Sequence, residues 1–166
     1  MGILIDKETV VLVQGMTGKE GQKAAAAMME YGTKVAAGVR PGKGGEIVQD
    51  RPIYNTVQEA VDTYPSINTS SIYVPPFAAR DAILEAINAG IKTINTIIER
   101  IPIKDTALVL AAAKERGSQI IGPSSLGCIT PGVGRLGVVG GPKKLADEIY
   151  TPGSIGIISR SGGMTN

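Results

Sequence analysis

An α/β fold with a Rossmann-like, doubly wound, mostly parallel sheet is what this chain of 166 residues predicts. Three observations carry that reading. Short β-branched apolar runs alternate with helical stretches of about ten residues, the pattern of βαβ units. The runs lack the apolar/polar alternation of a half-exposed strand, as strands covered on both faces do. The first run leads at once into a glycine-rich turn and then a helix. The handedness of crossovers leaves few other topologies.

Glycine and proline mark the element limits. Residues 9–14 (TVVLVQ) end at Gly15 and read as a buried parallel strand. Residues 19–31, rich in Ala, Met, Glu and Lys, read as a helix stopped by Gly32. A second strand, 34–39, runs into Arg40-Pro41-Gly42-Lys43-Gly44-Gly45. Residues 56–64 form a short helix with Thr56 as N-cap and Glu59 completing a capping box. A third strand, 71–74, is cut by Pro75-Pro76, and an amphipathic helix over 78–89 is stopped by Gly90. The fourth strand is 92–98, followed by a helix over 104–116 closed by Gly117. A fifth, 119–121, runs into Gly122-Pro123-Ser124-Ser125. Residues 142–150 read as a short helix, Thr151-Pro152-Gly153 as a turn and 154–158 (SIGII) as a further buried-type strand. A strand-to-helix turn closes the chain, so 1–150 are expected to form one domain and 151–166 the start of a second.

Composition excludes several classes of function. Seventeen Lys and Arg against fifteen Asp and Glu give +2 without a basic block, so no nucleic-acid partner is expected. No apolar run approaches the ~20 residues of a membrane span, and the N-terminus lacks the regions of a signal peptide. One cysteine, Cys128, cannot form an internal disulfide, which fits a reducing, cytoplasmic setting. The absence of histidine removes the Ser-His-Asp triad, a His-ligated metal and a phosphohistidine from this chain. Glycine is abundant, at 22 residues, and aromatics make up only 4%, which suits a backbone that approaches a ligand at several loops; flexible loops give the same count.

The loop Gly15-Met16-Thr17-Gly18-Lys19-Glu20-Gly21 joins the first strand to the first helix. Glycines there let backbone approach an anion, and the helix N-terminus offers open N–H groups. A tight turn and close helix–strand packing would also account for them. An NAD site needs an acidic residue about 20 positions after the glycine turn to hold the ribose 2′-OH. Here Arg40 and Lys43 occupy that region, with no carboxylate before Glu46. A cation there favours a phosphorylated ribose, as in NADP or coenzyme A. Tyr73, Val74 and Pro75, then Ile97, Ile98 and Glu99, then Ser124 and Ser125 fall at the carboxyl ends of predicted strands, the edge where open α/β sheets bind ligands.

Residues 15–21, Pro41-Gly42-Lys43-Gly44-Gly45, Ile98-Glu99-Arg100-Ile101-Pro102, Ile121-Gly122-Pro123 and Ser159-Arg160-Ser161-Gly162 occur in the order seen in alpha subunits of succinyl-CoA synthetase, which this chain resembles over nearly its whole length. The resemblance implies a CoA-binding domain of an acid-thiol ligase that forms an acyl-CoA from a carboxylic acid, CoA and ATP or GTP. It implies that Thr17, Gly18, Lys19 and Glu20 hold CoA phosphates, that Lys43 meets a phosphate of its ADP portion, and that Ile97, Ile98 and Glu99 line the pantetheine path. It also implies a beta subunit with an ATP-grasp nucleotide site and a small carboxylic acid substrate. The family's phosphorylated histidine belongs to a flavodoxin-like domain, so no catalytic residue is expected here.

Three departures stand out. Ser124-Ser125-Leu126-Gly127 replaces the family's Asn-Cys-Pro-Gly, Asn166 stands at its substrate-binding tyrosine, and residues 159–166 look more like ATP-citrate lyase and citryl-CoA synthetase. A non-catalytic CoA- or nucleotide-binding regulatory module and an NADP-dependent reductase are the remaining alternatives.

Overall fold

The computed structural model describes residues 3–165; Met1, Gly2 and Asn166, with the tyrosine correspondence drawn at Asn166, lie outside them. A seven-stranded sheet organises the chain. In sequence order the elements are β1 (Val10–Gln14), α1 (Lys19–Glu30), β2 (Lys34–Val39), β3 (Ile47–Val48), β4 (Arg51–Tyr54), α2 (Val57–Thr63), β5 (Thr69–Ile72), α3 (Ala79–Asn88), β6 (Thr93–Thr96), α4 (Ile103–Arg116) and β7 (Gln119–Ile121). Their order across the sheet is β3-β4-β2-β1-β5-β6-β7, and every pairing is parallel except β3 with β4. A separate antiparallel hairpin, β8 (Gly127–Thr130) and β9 (Gly134–Gly137), precedes α5 (Lys143–Ile149) and a last turn, α6 (Gly162–Thr165).

Both sheet faces are covered, as β1, apolar on both of its faces, requires. On β1, Leu12 faces a core with Val57 and Ala60 of α2, Ile83 and Ile87 of α3, and Val109 and Ala113 of α4. Its neighbours Val11 and Val13 face the opposite core, with Ala25 and Met28 of α1 and Leu136 of β9. The register of β2 against β1 slips by one residue, Val11 pairing with Val35 and Leu12 with Ala37. That slip turns Val35 to the α1 side but Ala37 and Val39 to the other.

Five details differ from the sequence reading, one being the fourth strand, read as 92–98 but limited to Thr93–Thr96. The third strand begins two residues early, at Thr69, because β5 pairs with β1 from Val11↔Thr69 to Gln14↔Ile72. Buried Ser70 is satisfied there by donating to Gln14 Oε1 at 2.8 Å. The β3–β4 hairpin was not foreseen: its two turn residues, Gln49 and Asp50, take φ of 51° and 58° without the Asn-Gly or Asp-Gly pair that announces such turns. Nor was β8–β9, whose glycine- and proline-rich sequence reads as loop. Residues 154–158 form no strand, and Ile155, Ile157 and Ile158 are exposed. The segment passes beside the hairpin, Pro152 near Gly132 and Gly162 near Leu126, and pairs with no strand edge, without which an extended run gains no ladder.

One buried cation fastens the hairpin to α1. Arg135, 1% exposed, donates from Nη2 to the Ala27 carbonyl (2.7 Å) and from Nη1 to those of Gly141 (2.6 Å) and Val139 (3.3 Å). Its guanidinium lies 5.4 Å from the Tyr31 ring centroid, at the C-terminal end of α1, where a cation is favoured. The Thr33 hydroxyl bridges the same residue's backbone, donating to its carbonyl and accepting from its N–H. Burial lowers the guanidinium's pKa, yet an arginine keeps its charge. Arg135→Met strands these carbonyls and should cost about 2–4 kcal/mol in a denaturant titration, with the hairpin amides losing hydrogen-exchange protection first. A loss well under 1 kcal/mol would show that the hairpin is held by its apolar contacts instead.

Candidate functional site

The sheet reverses its direction of growth at β1: β2 and β4 lie on one side, β5, β6 and β7 on the other. Such a reversal opens a crevice at the carboxyl ends of the strands. Gly15, leaving β1 with φ 82°, sits against β5's exit, where a Cβ would lie 2.3 Å from the Tyr73 carbonyl oxygen. Gly21, inside α1, packs the helix onto the same turn, its absent Cβ falling 2.3 Å from the Gly15 oxygen. Gly18 is the N-cap of α1 and supplies no side-chain acceptor, so the first helical N–H groups have no side-chain cap.

The structure brings most of the expected residues to this edge. Thr17 is half-buried on the turn, and Lys19 and Glu20 are exposed on the first turn of α1. Lys43 is exposed across from them, its Nζ 2.6 Å from Glu46 Oε1. Val74 is half-buried and Pro75 exposed after β5; Ile97 is half-buried and Glu99 exposed after β6. Ser124, with φ 58°, donates from its N–H to the Ile98 carbonyl (3.0 Å) and from Oγ to Glu99 (3.4 Å), and the Ser125 N–H donates to the Thr96 carbonyl (3.1 Å). Two side chains turn inward instead. Ile98 is buried in the core, and the Tyr73 hydroxyl accepts a hydrogen bond from Ser71 Oγ at 3.0 Å. These two residues present backbone at the edge.

The loop carrying Lys43 is tied down, although its glycines suggest a mobile one. Asn55 Oδ1 accepts from the N–H groups of Gly42 (2.9 Å) and Gly44 (3.0 Å), and Gly45 N donates to the Ile53 carbonyl. Asn55 in turn donates its own N–H to Glu59. Thr56 Oγ1 caps Glu59 N as foreseen, but the reciprocal contact of the box goes to Asn55 rather than Thr56. Sequence reasoning passed over Asn55, whose position just before the cap was the available sign. It also passed over Phe77, the only phenylalanine, 87% exposed on the 3-10 turn Pro76–Ala78 after β5. Arg40 was read as a cation near a ribose; its contact with the glycine turn, Nη1 to Thr17 Oγ1 at 2.9 Å, appears only in three dimensions.

The sequence profile of the family described as "CoA binding domain" matches residues 6–100. The chain belongs to that family. It is 44% identical over 165 residues to a succinate–CoA ligase [ADP-forming] subunit alpha of Archaeoglobus fulgidus, covering 99% of this chain and 54% of the relative. It is 43% identical over 166 residues to the malate–CoA ligase subunit alpha of Methylorubrum extorquens, covering 98% of this chain and 54% of that one. The chain therefore spans about half the length of these relatives. A structure of ATP citrate lyase from Methanothrix soehngenii in complex with citrate and coenzyme A superposes with a TM-score of 0.84 at 24% identity, over 98% of this chain and 28% of that one, and shows a shared fold. Among the described residues no helix is long and apolar enough to cross a membrane.

Replacing Gly15 by Ala drives a methyl into the Tyr73 carbonyl at a positive φ. The variant should lose about 2 kcal/mol or more of stability, seen as a lowered melting temperature; an unshifted melt would mean that β1 and β5 part easily. Two groups near the hairpin make the fold sensitive to alkali. Burial raises the Tyr73 phenol from 10.0 to about 12 and the Cys128 thiol from 9.0 to about 11. Above its ordinary pKa each group ionises in the unfolded chain while staying neutral in the folded one. Cys128's contribution is full below pH 9 and lost as pH rises through about 11; Tyr73's is full below pH 10 and lost through about 12. Denaturant titrations across that range should show falling stability, and Cys128→Ala should delay the onset. A flat profile would exclude both groups.

Proposed function

We propose that residues 1–150 hold coenzyme A for an acyl-CoA ligase of the succinate–CoA ligase alpha-subunit type. The observation that carries this is the Gly15–Gly21 turn at the sheet's reversal, where the spaces of two missing Cβ atoms keep backbone close and the α1 N-terminus lacks a side-chain cap. That construction suits a diphosphate. On this reading Thr17, Gly18, Lys19 and Glu20 hold the CoA phosphates, with Glu20 contributing backbone rather than its carboxylate. Lys43 meets a phosphate on leaving Glu46. Val74, Pro75, Ile97 and the backbone of Tyr73 and Ile98 line an apolar path for the pantetheine arm, with Glu99, Ser124 and Ser125 near its far end.

When bound, CoA supplies the thiol that becomes the acyl thioester. This chain's own part is orientation: it fixes the phosphates and arm so that the thiol is presented in one place. Cys128, half-buried on β8 with its thiol pushed up to about 11, is a poor stand-in for the family's cysteine at this edge. Relatives named for succinate and for malate are 44% and 43% identical to this chain over nearly all of it, which fits a region that serves the substrate common to both. Residues 151–166 are assigned to the start of a second, flavodoxin-like domain, which fits the exposure of Ile155, Ile157 and Ile158. A beta subunit with an ATP-grasp site, a small carboxylic acid and a cytoplasmic setting complete the proposal. The pattern of residues 159–166 favours a second reading, a subunit of ATP-citrate lyase type, which keeps CoA and changes the acid.

Titration calorimetry tests the reading. CoA should bind the chain, and NADPH and NADH should bind much more weakly. Lys43→Glu sets two carboxylates against a phosphate and should weaken CoA by about tenfold or more. Absence of CoA binding, or tight NADPH binding, would overturn the assignment.

A further inference from the structure

We propose that Arg40 is the residue by which this chain recognises a phosphorylated ribose, while the phosphate that Lys43 meets is one that CoA shares with dephospho-CoA; the proposal rests on the coenzyme A reading above. Arg40 is the first residue after β2, the position from which a dinucleotide-binding half addresses the ribose, by a carboxylate for a free hydroxyl or an arginine for a phosphate. Its backbone is fixed on both sides: its N–H donates to the Tyr54 carbonyl (2.9 Å) and its carbonyl accepts from Lys43 N (3.1 Å). Its guanidinium reaches back over the glycine turn to Thr17 Oγ1. Thr17 is itself held, its carbonyl accepting from Gln22 Nε2 at 3.0 Å.

Charge separates the two cations. Lys43 lies 2.6 Å from Glu46, so an arriving phosphate must break an ion pair and then face the released carboxylate. The other ion pairs among the described residues join Arg80 to Asp81 and Asp105 and Lys143 to Asp147, so none involves Arg40. Its partner there is a neutral hydroxyl, which leaves its charge uncompensated and most of its donors free for a bidentate contact. A monophosphate on a ribose whose diphosphate lies at the Gly15–Gly21 turn meets that guanidinium without opening an ion pair. The shared chemistry is a ribose monophosphate, carried at the 3′ position by CoA or at the 2′ position by NADP.

The full chain, with Arg40→Gln, Arg40→Lys and Lys43→Gln variants, is titrated calorimetrically with CoA, dephospho-CoA and NADPH. Wild type should prefer CoA over dephospho-CoA by roughly tenfold or more, the size of one charge-assisted contact. Arg40→Gln should erase that preference by weakening CoA alone, with dephospho-CoA changed by less than about threefold, as for the loss of an exposed charge. Arg40→Lys should recover part of it. Lys43→Gln should weaken both ligands about equally and keep their ratio. Arg40 is exposed, so the variants should melt as wild type does. A preference that survives Arg40→Gln, or vanishes with Lys43→Gln alone, overturns the proposal while leaving CoA binding in place. NADPH bound more tightly than CoA, with that tightness lost in Arg40→Gln, keeps Arg40's role and overturns the CoA reading. No binding of any of the three by wild type overturns both.

Discussion

The approach of Gly15 to the Tyr73 carbonyl is the constraint on which the rest of the structure depends. Strands β1 and β5 are neighbours that grow away from each other into opposite halves of the sheet, and their exits must cross closely for α1 to start where it does. A side chain at Gly15 would push the exits apart, and one at Gly21 would lift the helix off the turn. With both absent, the α1 N-terminus, the β2 exit and the β5 exit converge. The proposed ligand edge is thus a by-product of close backbone packing. Its polar groups are mainly N–H and C=O, which resist change by substitution.

Much of this was legible because glycine and proline stand at element limits. The strand at residues 119–121 matches β7 residue for residue, and the helices at 19–31 and 104–116 differ from α1 and α4 by one residue. The misses have a common physical origin: pairing across the sheet overrode local composition. Thr69 and Ser70 look like loop but are buried in β5, with Ser70 anchored by Gln14 from the neighbouring strand. Ile155, Ile157 and Ile158 look like strand but pair with no strand and are exposed. In the site, residue types that mark chemistry by themselves, such as Lys43, were readable. Contacts that join distant segments, Arg40 to Thr17 and Asn55 to Gly42, were not, because nothing in either segment specifies the other.

The two cations after β2 show how small differences in partner decide a residue's role. Arg40 and Lys43 are three positions apart, both exposed and bearing the same formal charge. One is matched by a carboxylate on its own loop; the other leans on a hydroxyl of the opposite loop. The Lys43–Glu46 pair, exposed on both sides, contributes little to stability, so in the proposed site its main consequence is a cost to an arriving phosphate. Asn55 sharpens that effect by holding Gly42 and Gly44 in place, which keeps Lys43 near Glu46.

The opposite end of the strands carries the structural load. The Thr33 bridge to Arg135, with the Arg135 clamp on Ala27, Val139 and Gly141, joins the hairpin to the C-terminal end of α1, one full helix length from the glycine turn. Nine positions separate Ala27, whose carbonyl that buried cation holds, from Gly18 at the N-terminus of α1. A cation at the C-terminus and an anion at the N-terminus both act favourably on one helix dipole, and each effect is confined to its own terminal turn. The chain therefore anchors α1 at one end with a permanently buried charge and leaves the other end without a side-chain cap, as the proposed phosphate contact requires. Fixing the helix at the closed end lets its open end offer backbone donors at a constant position, which a helix held only by its apolar face would do less well.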